Sequence, residues 1–306
     1  MTFIKNDKRR LSFLILSLFL ILVPLYLYSC SGGGYDNPKL QANSASVLIS
    51  PQTLNDWITN GYGMDSYGYN KIVVLDVTSA TGASSYTGSG HVPSAFLMDT
   101  TTDLTTSRSD GVSSVISEVA TKSQIEDVIH RTGIDQNTVV TITGDSVLNV
   151  GLAYFTFRYW GFPKERLRVM NGTNATYAAA GFALDKTVPS APAASSYSVC
   201  QLTQNTSMRA SLTDMISLSE GSTPNAFLWD VRATNEYTGV AGSTAGPSGN
   251  GATTGYTAFE GHINGAVNLN YTTLLSADAR TFLDTDTIRT ALNNIGVTSD
   301  KLTHVY

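Results

Sequence analysis

The chain has 306 residues, of which 42% are hydrophobic and 14% are charged, and its formal net charge is −5. This composition supplies enough apolar side chains for two ordinary cores and excludes an intrinsically disordered chain, which needs low hydrophobicity and high net charge. The negative charge also disfavours nucleic acid as a partner, because binding to phosphates requires a basic surface.

The first thirty residues resemble a bacterial lipoprotein signal. A cationic start precedes an apolar stretch from Leu11 to Tyr28 and a cleavage-like site that ends at Cys30. Residues 1–29 are therefore predicted to be a signal peptide, and a lipid on Cys30 would anchor the protein to a membrane of the cell envelope, facing the periplasm. The alternative is an uncleaved helical anchor, since the apolar stretch is almost long enough to span a bilayer.

Cleavage before Cys30 has two further consequences. It removes four positive charges and one negative charge, so the net charge falls from −5 to −8. A lipid on Cys30 also leaves Cys200, the other cysteine, without a partner, and no disulfide is then expected.

Residues 30–46 are predicted to be a polar tether, and residues 47–188 a first α/β domain. Buried strands and amphipathic helices alternate in this domain, which is typical of a mostly parallel sheet with helices on both faces. In chain order, the predicted elements are a helix at Leu54–Asn60, a strand at Lys71–Val77, a helix at Ile125–Ile134, a strand at Thr138–Thr143, a helix at Val147–Trp160 and a strand at Arg166–Met170.

A segment rich in proline, alanine and serine follows, and residues 189–207 are predicted to be a linker. Residues 208–306 are predicted to form a second domain of the same kind. Its predicted elements are a helix within Met208–Leu218, a strand at Ala226–Val231, a helix at Asp286–Val297 and a strand at Leu302–Tyr306. Compared with the first domain, the second lacks its C-terminal part.

An internal repeat supports this division into two domains. The sequence from Leu228 to Asn270, with the motifs LWDVRATNEYTG and GHINGAVNLN, has a fainter copy from Leu75 to Asp99. Each copy contains an apolar run that ends in Asp, a variable loop, a Gly-His pair and a second apolar run. When Gly133 is aligned with Gly296, Tyr306 falls opposite Thr143.

The second copy resembles the rhodanese family of sulfurtransferases, in the arrangement with two tandem domains. The residues that carry the resemblance include Asp230, Arg232, Tyr237 and His262. In this family, the strand that corresponds to Leu302–Tyr306 leads into a loop whose first residue is a cysteine. Backbone N–H groups and a helix N-terminus stabilise its thiolate, which takes sulfur from a donor, holds it as a persulfide and passes it to an acceptor.

The resemblance implies an inert first domain and a nucleophile in the second domain just after Tyr306, so the chain itself contains no catalytic residue. The corresponding position of the first domain holds Gly144, or Asp145 if the alignment shifts by one, and neither side chain can carry sulfur. Ser146 follows, but no histidine lies near it in sequence for hydrolase chemistry. Three explanations of the ending stay open: truncation, loss of catalysis with retention of a binding module, and a UGA codon that specifies selenocysteine.

The expected function is sulfur or selenium transfer from a sulfane-sulfur or selenium donor to a thiol acceptor. Thiosulfate is a disfavoured donor, because Glu236 occupies a position where family members commonly place an arginine. The alternative function is a non-catalytic module that binds an envelope redox partner. His262 shares its repeat position with His91, so the fold explains both histidines better than catalysis, and neither a cofactor nor a metal is expected.

Overall fold

The computed structural model describes residues 46–82, 84–109, 114–240 and 261–306. Within these residues the chain forms two parallel β-sheets and a separate antiparallel hairpin. The first sheet has five strands, which are β1 (Leu48–Ile49), β2 (Lys71–Thr78), β3 (Phe96–Asp99), β6 (Thr138–Gly144) and β7 (Leu167–Met170). The hairpin joins β4 (Thr105–Ser109) to β5 (Ser114–Val119).

The strands of the first sheet lie in the order β1-β7-β6-β2-β3, and all of them are parallel. Its helices are α1 (Pro51–Asn60), α2 (Lys122–Thr132), α3 (Val147–Tyr159) and α4 (Asn174–Ala179). Alternate residues of β2 pack into two different cores, with Leu75 and Val77 in one and Val74 in the other. The predicted α/β architecture, a parallel sheet with helices on both faces, is therefore confirmed for this sheet.

The second sheet has three strands, β8 (Ala226–Asp230), β9 (Val267–Asn268) and β10 (Leu302–Val305), in the order β10-β8-β9. The helices beside it are α5 (Leu212–Ser219), α6 (Thr234–Tyr237) and α7 (Thr285–Ile295). All three strands are parallel, so the sheet repeats the β6-β2-β3 portion of the first sheet. Among the described residues, no strand pairs with the outer edge of β10, where Leu302 and Val305 are 59% and 55% exposed.

The predicted linker packs in part against the first sheet. Tyr197 is buried, and its hydroxyl accepts a hydrogen bond of 2.7 Å from the guanidinium of Arg166. Arg166 is itself buried, donates to the carbonyl of Thr138 and lies 4.8 Å from the ring centroid of Phe162. Carbonyl oxygens and aromatic faces stabilise this buried cation, and its contact with Tyr197 fixes the middle of the linker on the first sheet.

The predicted signal peptide, Cys30 and almost all of the predicted tether lie outside the described residues. Among the helices that the structure does describe, none combines the length and the apolar character needed to cross a bilayer.

Candidate functional site

The candidate site lies at the carboxyl ends of β8 and β10, the edge at which open parallel sheets bind their ligands. Trp229 pairs with Val305 in the ladder, so Asp230 and Tyr306 stand next to each other. The backbone confirms this register, because the Tyr306 N–H donates to the Trp229 carbonyl and the Val231 N–H donates to the Tyr306 carbonyl, both at 3.1 Å.

The first sheet has the same register between its corresponding strands. Asp76 pairs with Thr143, and Val77 pairs with Gly144. Asp76 corresponds to Asp230 in the repeat, so Tyr306 corresponds to Thr143, the equivalence that the sequence repeat also gives. The position after Tyr306 therefore corresponds to Gly144.

An ion pair forms the centre of the site. The Arg232 side chain donates from Nε and Nη2 to the Asp230 carboxylate at 2.5 to 3.2 Å, and Nη2 also donates to the Gly261 carbonyl at 2.7 Å. Burial alone would raise the pKa of the Asp230 carboxyl, but the hydrogen bonds and charge of Arg232 outweigh burial and lower it below its ordinary value. Asp230 is thus a buried carboxylate, whereas the Arg232 side chain remains 33% exposed.

Tyr306 covers this ion pair from the end of β10. The guanidinium of Arg232 lies 5.4 Å from the centroid of the Tyr306 ring. The Tyr306 hydroxyl accepts a hydrogen bond of 2.9 Å from the Ile263 N–H, which joins the end of β10 to the Gly-His loop. Tyr306 therefore packs the end of β10 against Arg232 and the Gly-His loop.

Two further residues hold the turn that carries Arg232. Asn268 donates from Nδ2 to the carbonyls of Asp230 and Arg232 at 3.0 and 2.9 Å. Glu236 accepts a hydrogen bond of 3.0 Å from the Ala233 N–H at the start of α6. The Glu236 carboxylate therefore caps a helix, which gives this position a structural role in place of an anion-binding arginine.

Tyr237 and His262 form a packing unit that recurs in the first sheet. Their rings stack with centroids 3.8 Å apart, His262 Nδ1 lies 2.7 Å from the Tyr237 carbonyl, and the Tyr237 hydroxyl donates to the Ala266 carbonyl at 3.0 Å. Tyr86 and His91 make the same three contacts, with centroids 3.6 Å apart and a hydroxyl that donates to the Ala95 carbonyl. Their recurrence at a site without a nucleophile supports the structural reading of both histidines.

Tyr86 was not predicted from the sequence, although a signal for it exists. Tyr86-Thr87-Gly88 repeats Tyr237-Thr238-Gly239. Because the loop between tyrosine and histidine is far shorter in the first copy, the match is visible only when the two histidines are aligned.

The first sheet has a different polar cluster at the corresponding place. Thr78 stands where the second sheet has Arg232, and Asp76 accepts a hydrogen bond of 2.7 Å from Asn174, which in turn accepts one from Thr143. Burial raises the pKa of the Asp76 carboxyl to about 7, which the nearby Asp145 reinforces and the Asn174 bond opposes. One carboxylate oxygen of Asp76 makes no hydrogen bond among the described residues.

The loop that was predicted to be inert begins with Gly144, and no other residue fits at this position unless the neighbouring backbone moves. A Cβ added to Gly144 would lie 2.5 Å from the Val77 carbonyl oxygen. Asp145 is exposed, and Ser146 precedes the first residue of α3 without capping it through its side chain. A thiol cannot be placed at position 144 of this backbone.

Cys200 differs from the sequence-based expectation. It is disulfide-bonded, so the expectation that it would have no disulfide partner is wrong. That expectation assumed a lipid on Cys30; the partner of Cys200 lies outside the described residues. A disulfide sulfur is not a nucleophile, so Cys200 does not add a second site. Within the described ranges, no group of three or more His, Cys, Asp or Glu side chains could hold a metal ion.

Neither a protein-family model nor a curated protein matches the chain, but several solved structures do. The wild-type structure of EanB matches with a TM-score of 0.61 and 20% identity, over 85% of this chain and 59% of EanB. The anaerobic ergothioneine biosynthesis enzyme from Chlorobium limicola, in complex with trimethyl histidine, matches with a TM-score of 0.61 and 20% identity, over 85% and 60%.

The third match is SseA from Escherichia coli, described with the "Rhodanese" fold of the 3-mercaptopyruvate sulfotransferases. It has a TM-score of 0.62 and 17% identity, over 85% of this chain and 87% of SseA. This chain spans about 60% of the length of the EanB structures. The chain therefore has the rhodanese fold, and its resemblance to the rhodanese sulfurtransferases is confirmed at the level of the fold.

Proposed function

We propose that this protein is a rhodanese-type sulfurtransferase of the cell envelope, with an inert first domain and a second domain that carries the reaction. The nucleophile is the residue that follows Tyr306 in the complete protein, as cysteine or as selenocysteine. The observation that carries the proposal is the half-buried Arg232 side chain, which Asp230 holds at the carboxyl edge of the sheet beside the end of β10.

The reaction has two steps that both occur at one chalcogen atom. The thiolate or selenolate attacks the outer sulfur of a sulfane-sulfur donor, so a bond to that sulfur forms, the donor's own bond to it breaks, and the remainder leaves with the electron pair. A thiolate of the acceptor then attacks the outer sulfur of the persulfide and regenerates the nucleophile. One EanB structure is of a cysteine persulfide in a tetrahedral intermediate state with ergothioneine, which supports persulfide chemistry for this fold.

The roles of the named residues follow from their contacts. Asp230 orients Arg232, and Arg232 supplies positive charge to a leaving group or to an anionic persulfide. Asn268 fixes the turn between them, while Tyr237 and His262 support the Gly-His loop. The ion pair with Asp230 and the nearby Glu236 offset the charge of Arg232, so a dianion such as thiosulfate is a poorer donor than a protein persulfide or a selenium donor of lower charge.

The proposed location rests on residues 1–46 of the sequence. A signal peptide or an uncleaved anchor within residues 1–29 would place the protein at a membrane of the envelope, facing the periplasm, an oxidising compartment in which the disulfide of Cys200 can persist. The acceptor would then be a thiol or an envelope redox partner. Fractionation of the source cells tests this location, because the protein is expected with the envelope and its recovery with the cytoplasm would contradict it.

The activity is tested first by mass spectrometry of the native protein, in a search for peptides that extend past Tyr306. The expected result is a peptide with cysteine or selenocysteine directly after Tyr306. Transfer of sulfane sulfur to cyanide should then disappear when that residue is replaced by serine, and should persist in Asp145→Asn, the matched control in the first loop. A native protein that ends at Tyr306, or a serine variant with full activity, would refute the proposal.

The alternative is a non-catalytic module that binds an envelope redox partner. One observation favours it, namely the exposed Leu302 and Val305 on the outer edge of β10, where the first sheet continues with β7. A strand from a partner could pair with this edge. The alternative requires only a folded surface, so it predicts partner binding that is unchanged when the residue after Tyr306 is replaced.

A further inference from the structure

The first sheet has no basic side chain at the place where the second sheet has Arg232. In the second copy of the repeat, the Arg232 guanidinium forms an ion pair with the buried carboxylate of Asp230. The first copy keeps this carboxylate as Asp76 and has Thr78 in the place of the arginine. The first sheet therefore retains the buried acid without the internal cation that neutralises it in the second.

Two side-chain oxygens at this place make no hydrogen bond to any residue that the structure describes. They are Oδ1 of Asp76, which is fully buried, and Oγ1 of Thr78, which is 2% exposed. Both side chains point to the same face of β2, because alternate residues of a strand share a face. A buried oxygen without a partner costs about as much free energy as a lost hydrogen bond, so this place favours a bound partner.

The Gly-His loop supplies a third oxygen. In the second sheet, the Gly261 carbonyl accepts a hydrogen bond of 2.7 Å from Arg232. The corresponding carbonyl of Gly90 accepts no hydrogen bond within the described part of the chain. Tyr86, which stacks on this loop, lies close to Asp76, since burial and the charge of Asp76 both raise the pKa of the tyrosine. The repeat thus brings a carboxylate, a hydroxyl and a carbonyl to the place of one guanidinium.

The charged groups around Asp76 are mainly acidic. Burial raises the pKa of the Asp76 carboxyl, and the charge of Asp145 reinforces this effect. Asp185 pairs with the backbone of His91 beside the Gly-His loop, and Nδ1 of His91 is directed at a backbone carbonyl 3.0 Å away. No basic side chain of the described residues lowers the pKa of Asp76. A buried carboxylate of this kind is costly unless a cation neutralises it.

We propose that the first sheet binds one monovalent metal cation, such as sodium, between the Asp76 carboxylate, the Thr78 hydroxyl and the Gly90 carbonyl. Oxygen atoms of these three types are hard ligands, which bind hard cations. The single buried carboxylate balances one positive charge, which favours a monovalent over a divalent ion. The ion would take the place that the Arg232 guanidinium has in the second sheet. This site is separate from the proposed sulfur transfer and does not depend on it.

The test is urea unfolding of the full chain at pH 8 in sodium, potassium or choline chloride at equal ionic strength. Choline is too large for the site and therefore controls for screening by salt. The urea midpoint should rise and saturate with the concentration of sodium or potassium, and it should not do so with choline. Because the ion competes with a proton for Asp76, this shift should disappear at pH 5.

Two variants remove one proposed ligand each. Asp76→Asn should lose the shift that depends on the metal cation, and Thr78→Val should weaken the apparent affinity by about tenfold. Both should fold, because the amide has nearly the shape of the carboxyl group and the Thr78 hydroxyl has no partner to lose. Asp278→Asn is the matched control, since it changes a carboxylate that is 60% exposed in the other half of the chain, and it should respond as the unmodified protein does.

Two results would overturn the proposal. One is an equal midpoint in all three salts, which would leave a water molecule as the partner of Asp76. The other is a shift in sodium or potassium chloride that Asp76→Asn retains in full, because the ion would then bind elsewhere.

Discussion

Replacement of Asp76 by asparagine should stabilise the protein at neutral pH. Asp76 is fully buried and its pKa is about 7 in the folded state, against an ordinary value of 3.8. Because its pKa is higher in the folded than in the unfolded state, protonated Asp76 contributes to the stability of the fold. This contribution is fully present below pH 3.8 and is lost as the pH rises through 7. The difference between about 7 and 3.8 is about 3 pKa units, which at about 1.4 kcal/mol per unit amounts to about 4 kcal/mol at pH 8.

The assay is urea unfolding of both proteins between pH 4 and pH 8. Protonated aspartic acid and asparagine have similar shapes, and both can accept the hydrogen bond from Asn174, so the two proteins should have nearly equal stability at pH 4. The advantage of Asp76→Asn should then grow by about 1.4 kcal/mol per pH unit until it levels off near pH 7. An advantage that does not change with pH, or a variant that is less stable throughout, would refute the reasoning.

Asp230→Asn provides the opposite case at the equivalent position. The pKa of Asp230 is lowered below its ordinary value, so its contribution is present above pH 3.8 and is lost as the pH falls through the folded-state pKa. At pH 7 the asparagine variant also leaves Arg232 without its anion, and it should be less stable than the unmodified protein. At neutral pH, Asp76→Asn should therefore raise the free energy of unfolding and Asp230→Asn should lower it. If both variants changed it in the same direction, the opposite pKa shifts of the two carboxyl groups would be contradicted.

Three further outcomes are expected. Arg166→Met should lower the free energy of unfolding by about 3 kcal/mol in urea, since buried carbonyl groups and the Tyr197 hydroxyl lose their donor, and a loss below 1 kcal/mol would contradict this role. Tyr237→Phe should cost about 1 kcal/mol in the same assay and leave the ring stack intact, because it removes one hydrogen bond. Alkylation of Cys200 should require prior reduction with dithiothreitol, because its sulfur is in a disulfide, and alkylation of the unreduced protein would contradict that bond.

Much of the first sheet could be predicted from sequence because its strands are short and buried on both faces. Thr138–Gly144 is buried along its whole length, and a β-branched run of this kind is an unambiguous local signal. The hairpin of β4 and β5 was not predicted, since Thr105–Ser109 is polar and its pairing depends on a neighbour that the local pattern does not encode.

The candidate site was predictable in its residue types and not in its electrostatics. Asp76 and Asp230 occupy the same repeat position, yet their pKa values move in opposite directions. The cause is a difference two residues later: Arg232 lowers the pKa of Asp230, whereas Thr78 brings no charge, so burial dominates at Asp76 although the hydrogen bond from Asn174, 98 residues away in the chain, opposes it. Contacts over such distances follow from the packed fold and leave no trace in a local motif.

The position of the Val77 carbonyl has a consequence for protein engineering. Attempts to convert the first sheet into a second catalytic centre by Gly144→Cys alone would place the new Cβ against this oxygen, 2.5 Å away on the present backbone. A second catalytic centre would also need a longer loop or a different end of β2, so that the Val77 carbonyl no longer occupies the place of the cysteine Cβ. The asymmetry between the two halves is therefore built into the path of the main chain, and side-chain exchange alone cannot remove it.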